Sequence, residues 1–361
     1  MAMPKQRRPR TRRSAPTFAD HAARVPIVTA GTDPHDPDLP SYTRNTTEKS
    51  EVPLVFGVDD PSGAGLTRAQ ALAGDSMRAP HYGVRLSSRT TETVEHPGWA
   101  EPQWFAVRSR LAALQTLRPD AIGSHTSAAE LLGIPLPSHL RGRHAPIHVL
   151  SPVTNAVQAR GAHGHRGSLT EPSVTTGGVE VTGHLQTVMQ LAPLLAERDL
   201  VVAIDALIGP WRGSPVALEQ IDRHMRENPG RRGARKLRNA RARARPGAGS
   251  PRESEIRLDL VDWGFPEPAV GRAVWIAELR RHLTPDLLYE DIRTAIEYEG
   301  EQHRTNRWQV EADIERANAF RSAGYFVERL TKRTGLVELI GVLTERFAAL
   351  RAGTLRFPSA H

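Results

Sequence analysis

The sequence predicts an α/β protein, α+β overall, whose C-terminal part carries a central sheet with flanking helices. Three observations carry this expectation. Ile292 to Glu299 alternates with period two, as a strand does. Val310, Ile314, Ala317 and Phe320, and later Leu336, Leu339, Leu343, Phe347 and Leu350, recur at helical spacing on either side of a strand-like run from Tyr325 to Leu330. No run approaches the roughly eighteen apolar residues that a bilayer span needs. The chain has 361 residues, enough for two or three domains, and no cysteine, which excludes a disulfide framework, a thiolate zinc site and a cysteine nucleophile. With 48 Lys+Arg against 40 Asp+Glu the net charge is +8, and its meaning depends on where the positives cluster. The first residues are basic but no apolar segment follows them, so no secretion signal is expected, no membrane partner, and a cytoplasmic location.

Residues 1–50 carry Arg7, Arg8, Arg10, Arg12 and Arg13 and little periodic apolar content, and read as a disordered basic, Pro-rich tail. Residues 51–95 form a small module: a strand or the start of a helix at Val52 to Val58, a short helix from Leu66 to Gly74, and a short strand from Tyr82 to Leu86. Arg68, Arg78 and Arg85 are its candidate phosphate contacts.

Residues 100–220 read as an α+β middle domain. A helix spans Trp104 to Leu117, and Ser124 caps a second one that stops at Gly133 before Pro135. His148 to Leu150 and Val179 to Thr182 are strands, followed by an apolar helix from Thr187 to Leu195 and an apolar run from Leu200 to Ile208 that encloses Asp205. His163-x-His165 has the residue type of a metal site, but it sits in a Gly-rich stretch without a nearby acid or cysteine and is set aside. His125, near a helix start, is read as making a local hydrogen bond.

Residues 221–249 hold a basic helix and a linker. Arg231 to Arg245 contains eight basic residues and no acid. Its apolar stripe of Ala234, Leu237 and Ala244 is too thin to bury much, and its self-repulsion calls for an anion. Arg231, Arg232, Arg235, Lys236, Arg238 and Arg241 are therefore the candidate nucleic-acid contacts. Pro246-Gly247-Ala248-Gly249 reads as the linker.

The last domain, 250–352, opens with Ser250-Pro251-Arg252-Glu253, a cap, a proline at the first helical position and a glutamate three residues on. That helix runs to Trp263 and stops at Gly264. Leu283 to Leu288, interrupted by Pro285 and Asp286, is read as a strand joined by a Tyr289-Glu290-Asp291 turn to the strand at Ile292. Glu297 and Glu299 share a face there, roughly 6.5 to 7 Å apart at their roots. With Asp286 across the hairpin they can serve one hard cation such as Mg²⁺, which clamps a phosphodiester and activates water. Residues 353–361 are a tail.

Pro285-Asp286, Ala295-Ile296-Glu297-Tyr298-Glu299-Gly300 and His303 resemble the PD-(D/E)xK nuclease superfamily, in particular the very-short-patch-repair-like endonuclease domain that many actinobacterial proteins carry at their C-terminus. The resemblance extends back to Ser250-Pro251-Arg252-Glu253-Ser254 and forward to Trp308, Asp313 and Gly324 to Arg329, about residues 249 to 352. It implies a restriction-endonuclease-like αβββαβα core, with Asp286 and Glu297 as metal ligands, Glu299 in the place of the usual lysine, His303 beside the metal or phosphate, and Glu253 as an accessory acid. Glu253 is also the capping-box residue, and both roles stay open. A glutamate at 299 can bind metal or accept a proton but cannot supply the positive charge of a lysine. Arg329, on the last strand, steadies a phosphate or pairs with an acid.

Two earlier segments resemble abortive-infection antitoxin proteins of the AbiEi type. One is the degenerate winged-helix-like module, through T-R-A-Q-A-L-A and Y-G-V. The other is Ser124-His125-Thr126-Ser127-Ala128-Ala129 with Leu131, Gly133 and Pro135. The expectations are thus a DNA-binding protein with a Mg²⁺-dependent endonuclease-like domain or, alternatively, a noncatalytic regulator or antitoxin of a toxin-antitoxin or phage-defence system, with a possible toxin partner.

Overall fold

The computed structural model describes residues 46–72, 76–78, 83–142, 145–153, 155–210, 216–299, 307–331 and 335–358. The tail expected over 1–50 falls outside these as far as residue 45, and its boundary is corrected, since residues 47–50 already belong to a strand. Strands β1 (Thr47–Gly57), β2 (Ser76–Arg78) and β3 (Val84–Pro97) form one sheet in the order β1-β3-β2. Pro53 has no amide to give the ladder, and the β1–β3 register slips between Pro53 and Val55. β3 outruns the short strand expected at Tyr82 to Leu86 because Thr90, Thr91, Thr93 and Val94 are strand formers. The helix of this module, α1, is only Arg68–Leu72.

The middle of the chain runs α2 (Pro102–Leu117), β4 (Ile122–Gly123), α3 (His125–Leu132), β5 (Ile147–Ser151), β6 (Ala162–Arg166), β7 (Val174–Thr176), β8 (Val179–Val181), α4 (His184–Leu191) and α5 (Glu197–Ile208). Its five strands form a mixed sheet in the order β6-β5-β4-β8-β7. Trp104, Leu111 and Leu114 of α2, Leu131 of α3, Val149 of β5 and Leu200, Ile204 and Leu207 of α5 share one core. Gly133 ends α3 with a positive φ of 68°, the expected stop. Ser124 does stand at the N-cap, but its hydroxyl turns to a histidine ring instead of a helix amide.

Helices α6 (Leu218–Glu227) and α7 (Ala234–Arg243) follow, and α7 is the basic helix. Two expectations are corrected there. Leu237 and Ala240 are fully buried in the same core, with Ala244 just beyond, because α7 packs along α5. Moreover, acids distant in sequence relieve its charge: Arg241 pairs with Asp222 at 2.7 Å, Arg243 with Asp262 at 2.8 Å and Arg245 with Glu267 at 2.7 Å.

The chain then builds α8 (Pro251–Asp262), β9 (Ala269–Val270), β10 (Val274–Ile276), β11 (Arg281–Leu283), β12 (Leu287–Tyr289), β13 (Thr294–Glu299), α9 (Arg307–Ser322), β14 (Phe326–Thr331) and α10 (Leu336–Arg351). The expected strand from Leu283 to Leu288 is broken at Thr284-Pro285-Asp286. Its first part, β11, pairs with β10, and its second, β12, pairs antiparallel with β13. Tyr289 ends β12, so the turn lies later than expected. The four-stranded sheet has the order β14-β13-β12-β9, with β13 and β14 parallel and α9 as the crossover between them. Ile292 and Ile296 pack with α8 and α10, while Ala295 packs with α9, which bears out the period-two reading of this strand.

The middle and C-terminal parts join through a buried ion pair. Arg257 of α8 donates to Asp205 of α5 at 2.8 Å, both side chains 1 % exposed or less. Burial pushes the Asp205 carboxyl up from its ordinary pKa, opposed by the Arg257 charge and the amide of Arg245. Removing Asp205 leaves the buried Arg257 with Glu267 at the part-exposed edge, and removing Arg257 takes from the buried Asp205 the charge that opposes its burial. Asp205→Ala and Arg257→Ala are each expected to destabilise the protein by about 3 to 5 kcal/mol in denaturant unfolding, whereas the apolar pair Asp205→Leu with Arg257→Met is expected to cost much less.

Candidate functional site

The acidic site is assembled where the break at 284–286 meets the end of β13. Asp286 stands just before β12, and its Oδ2 accepts the Tyr298 amide at 2.7 Å. Glu253 sits in the first turn of α8, which begins there because Ser250 accepts the Glu253 amide at 3.3 Å and Pro251 opens the helix. Its carboxylate reaches back to the Gly249 amide at 2.7 Å, one residue before the cap. The cap is therefore shifted by one residue from the expected capping box, with Glu253 holding the Gly249 amide, and the same carboxylate repels Asp286. Burial first, and then that repulsion, push the Asp286 carboxyl up to about 7, while the Tyr298 amide and the Arg316 charge work against the rise.

Glu297 lies on β13 beside Arg329 of β14 in the parallel register. Arg316 of α9 clamps Glu297, its Nε at 3.2 Å from both carboxylate oxygens, and donates through Nη2 to the carbonyl of Thr284. The expected gathering of Asp286, Glu297 and Glu299 turns on the Glu299 side chain, which lies outside the described residues. Among the described side chains Glu253, Asp286 and Glu297 share a neighbourhood, but they do not gather as a trio within 4.8 Å of one another. Glu299 closes β13 opposite Thr331, and its side chain lies outside the described residues, as do all of His303 and the side chains of Trp308 and Asp313.

The candidate nucleic-acid contacts divide. Arg231 donates to Asn228 at 3.3 Å, Lys236 caps the Leu195 carbonyl at 2.5 Å, and Arg241 is held by Asp222. Arg232, Arg235 and Arg238 are exposed and keep an outward positive face, Arg235 and Arg238 one turn apart on α7. In the N-terminal module Arg68 pairs with Asp59 at 3.1 Å and Arg85 with its neighbouring carbonyl, while the Arg78 side chain lies outside the described residues.

Sequence reasoning passed over a second cluster. His163 and His165 lie in a strand, β6, and not in a loop, and β6 runs parallel to β5 with His148 opposite His163. A Cβ on the intervening Gly164 would stand 2.2 Å from the Val157 carbonyl oxygen, so only glycine lets β6 press against that segment. His125 arrives from the start of α3, and its Nδ1 lies 3.0 Å from the Ser124 hydroxyl, the local bond that was expected. The ligand nitrogens of His125, His148 and His165 all fall within 4.8 Å of one another. Burial and mutual repulsion push His125 down to about 3 and His148 to about 4, so these rings are neutral at pH 7. The sequence signal was three separate histidines, 23 and 17 residues apart, and nothing local links them.

Among the described residues no helix is long and apolar enough to cross a membrane. Comparison with protein families finds no match, and no curated protein matches the chain.

The acidic site has a pH signature. Asp286 has its pKa raised in the fold, so its contribution to stability is complete at low pH and is lost as pH climbs from 3.8 to about 7. Asp286→Asn keeps an acceptor for the Tyr298 amide without the charge. It is expected to match the wild type at about pH 4 and to exceed it by on the order of 2 kcal/mol at about pH 8, measured by denaturant unfolding at both values.

Proposed function

We propose that the protein binds DNA and that its C-terminal part is a metal-dependent, endonuclease-like unit of restriction-endonuclease type. The carrying observation is Asp286, a carboxyl raised to about 7 beside Glu253 and near Glu297, where a cation would relieve the repulsion. The sequence resemblance of these residues to the PD-(D/E)xK superfamily supports the same reading. The donor chemistry fits a hard divalent ion, since Asp286, Glu297 and Glu299 offer carboxylate oxygens. Bound there, Mg²⁺ would polarise the phosphodiester and make water more acidic. Arg316, which holds Glu297 and the Thr284 carbonyl, would supply positive charge near a phosphate bound there, a charge that Glu299 cannot supply in the lysine position. Glu253, fixed by the Gly249 amide, holds negative charge against Asp286 and keeps the site receptive to a cation. Arg232, Arg235 and Arg238 would hold the DNA backbone.

One observation favours the second reading, a noncatalytic DNA-binding regulator or antitoxin with a toxin partner. The Arg316 clamp on Glu297 already neutralises part of the site, as an internal cation does in a retained scaffold.

Supercoiled plasmid separates the two. With Mg²⁺ or Mn²⁺ the wild type is expected to nick it, and Asp286→Ala and Glu297→Gln to abolish nicking. Salt-sensitive binding without cleavage under any divalent ion would replace the first reading with the second. In either case Arg232→Ala, Arg235→Ala and Arg238→Ala combined are expected to weaken binding across sequences. The slope of log K against log salt should fall by about 2 to 3, measured by fluorescence anisotropy.

A further inference from the structure

The histidine cluster of the middle sheet has the composition of a metal site, and among the described residues no acid joins its ligand atoms. Three elements deliver it: the start of α3 with His125, β5 with His148 and β6 with His165. His148 Nδ1 and His165 Nε2 are 3.0 Å apart, a contact that requires one ring to give a proton and the other a lone pair. Two imidazole nitrogens on one tetrahedral Zn²⁺, at about 2.0 to 2.1 Å each, stand about 3.3 Å apart. The pair is already close to that spacing. The third ring, His125, stacks on His165 with centroids 3.8 Å apart, and the three ligand nitrogens lie within 4.8 Å of one another.

The surroundings hold these rings in place. The His125 amide is bound by Gln190 at 3.1 Å, and the His148 amide by Ser127 at 2.8 Å. The fully buried Ser124 hydroxyl engages His125 Nδ1, and when that nitrogen donates, Nε2 carries the lone pair, the arrangement found behind metal-bound imidazoles. His125 also adopts a positive φ of 48°, a conformation that a side-chain-bearing residue takes only when its surroundings impose it. All three side chains are part exposed, so solvent reaches the cluster.

We infer that His125, His148 and His165 form a zinc site with three protein ligands and a solvent-held fourth position. The all-nitrogen set excludes Mg²⁺ and Ca²⁺, which require oxygen, and suits a borderline ion. This site is separate from the acidic centre in residues and in the ion it takes, and it stands whether or not the acidic centre cleaves DNA.

The test uses the untagged full-length chain, stripped with chelator and titrated with Zn²⁺ by calorimetry, with Co²⁺ absorption reporting a tetrahedral ligand field. One ion per chain is expected. His148→Ala and His165→Ala should weaken binding about a hundredfold or more and lose the Co²⁺ bands, and Ser124→Ala should weaken it about tenfold. Asp286→Asn should bind Zn²⁺ as the wild type does. Circular dichroism checks folding, and His165→Gln replaces any alanine variant that fails to fold. The inference is overturned if the wild type shows no saturable binding, or if the histidine variants bind as tightly as the wild type. Loss of binding in Asp286→Asn with retention in the histidine variants overturns it as well.

Discussion

The Asp205–Arg257 pair is the constraint on which the position of the acidic site depends. A fully buried carboxylate and guanidinium tolerate little displacement, because each is the other's main compensation for lost water. Arg257 lies one turn after Glu253 on α8, so fixing Arg257 against α5 also fixes the end of α8 that faces Asp286. Arg257 reaches Glu267 at 2.6 Å as well, and the Arg245 amide binds Asp205 at 2.7 Å. One ionic knot thus ties α5, the end of α7, α8 and the approach to β9.

Charge in this protein is mostly settled internally. The basic helix reads as a free polycation when taken alone, but half of its arginines meet acids brought from elsewhere by the fold. What remains outward is a short positive face of Arg232, Arg235 and Arg238. The acidic centre follows the same logic in reverse, with Arg316 supplying a positive charge to Glu297 where the sequence offers no lysine.

Local periodicity made much of this architecture readable. The α3 stop at Gly133, the α8 cap at Ser250 and Pro251, the helix ending before Gly324, the strand after it and the alternating faces of β13 all depend on neighbours within a few residues. The acids Asp286 and Glu297 were legible for the same reason, being linked by one hairpin. Partners remote in sequence were not. Nothing around Arg241 announces Asp222, and nothing around His125 announces His165, because those meetings are made by strand order and helix packing. The interruption at Pro285 and Asp286 is visible before β12, but the run still reads as one strand because leucines flank it on both sides, whereas its two halves pair with different strands.

The stretch Pro246 to Gly249, which composition marks as a spacer, is wedged into the structure. Ala248 is buried, its carbonyl oxygen would lie 2.5 Å from a Cβ on Gly209, and the Val270 carbonyl oxygen would lie 2.9 Å from a Cβ on Gly247. Severing the chain there would strip Leu258 of its apolar neighbours and part Arg257 from Asp205. Fragments made on the assumption of a loose tether would report on their own exposed wounds, so biochemical dissection of this protein is better done by point substitution than by truncation.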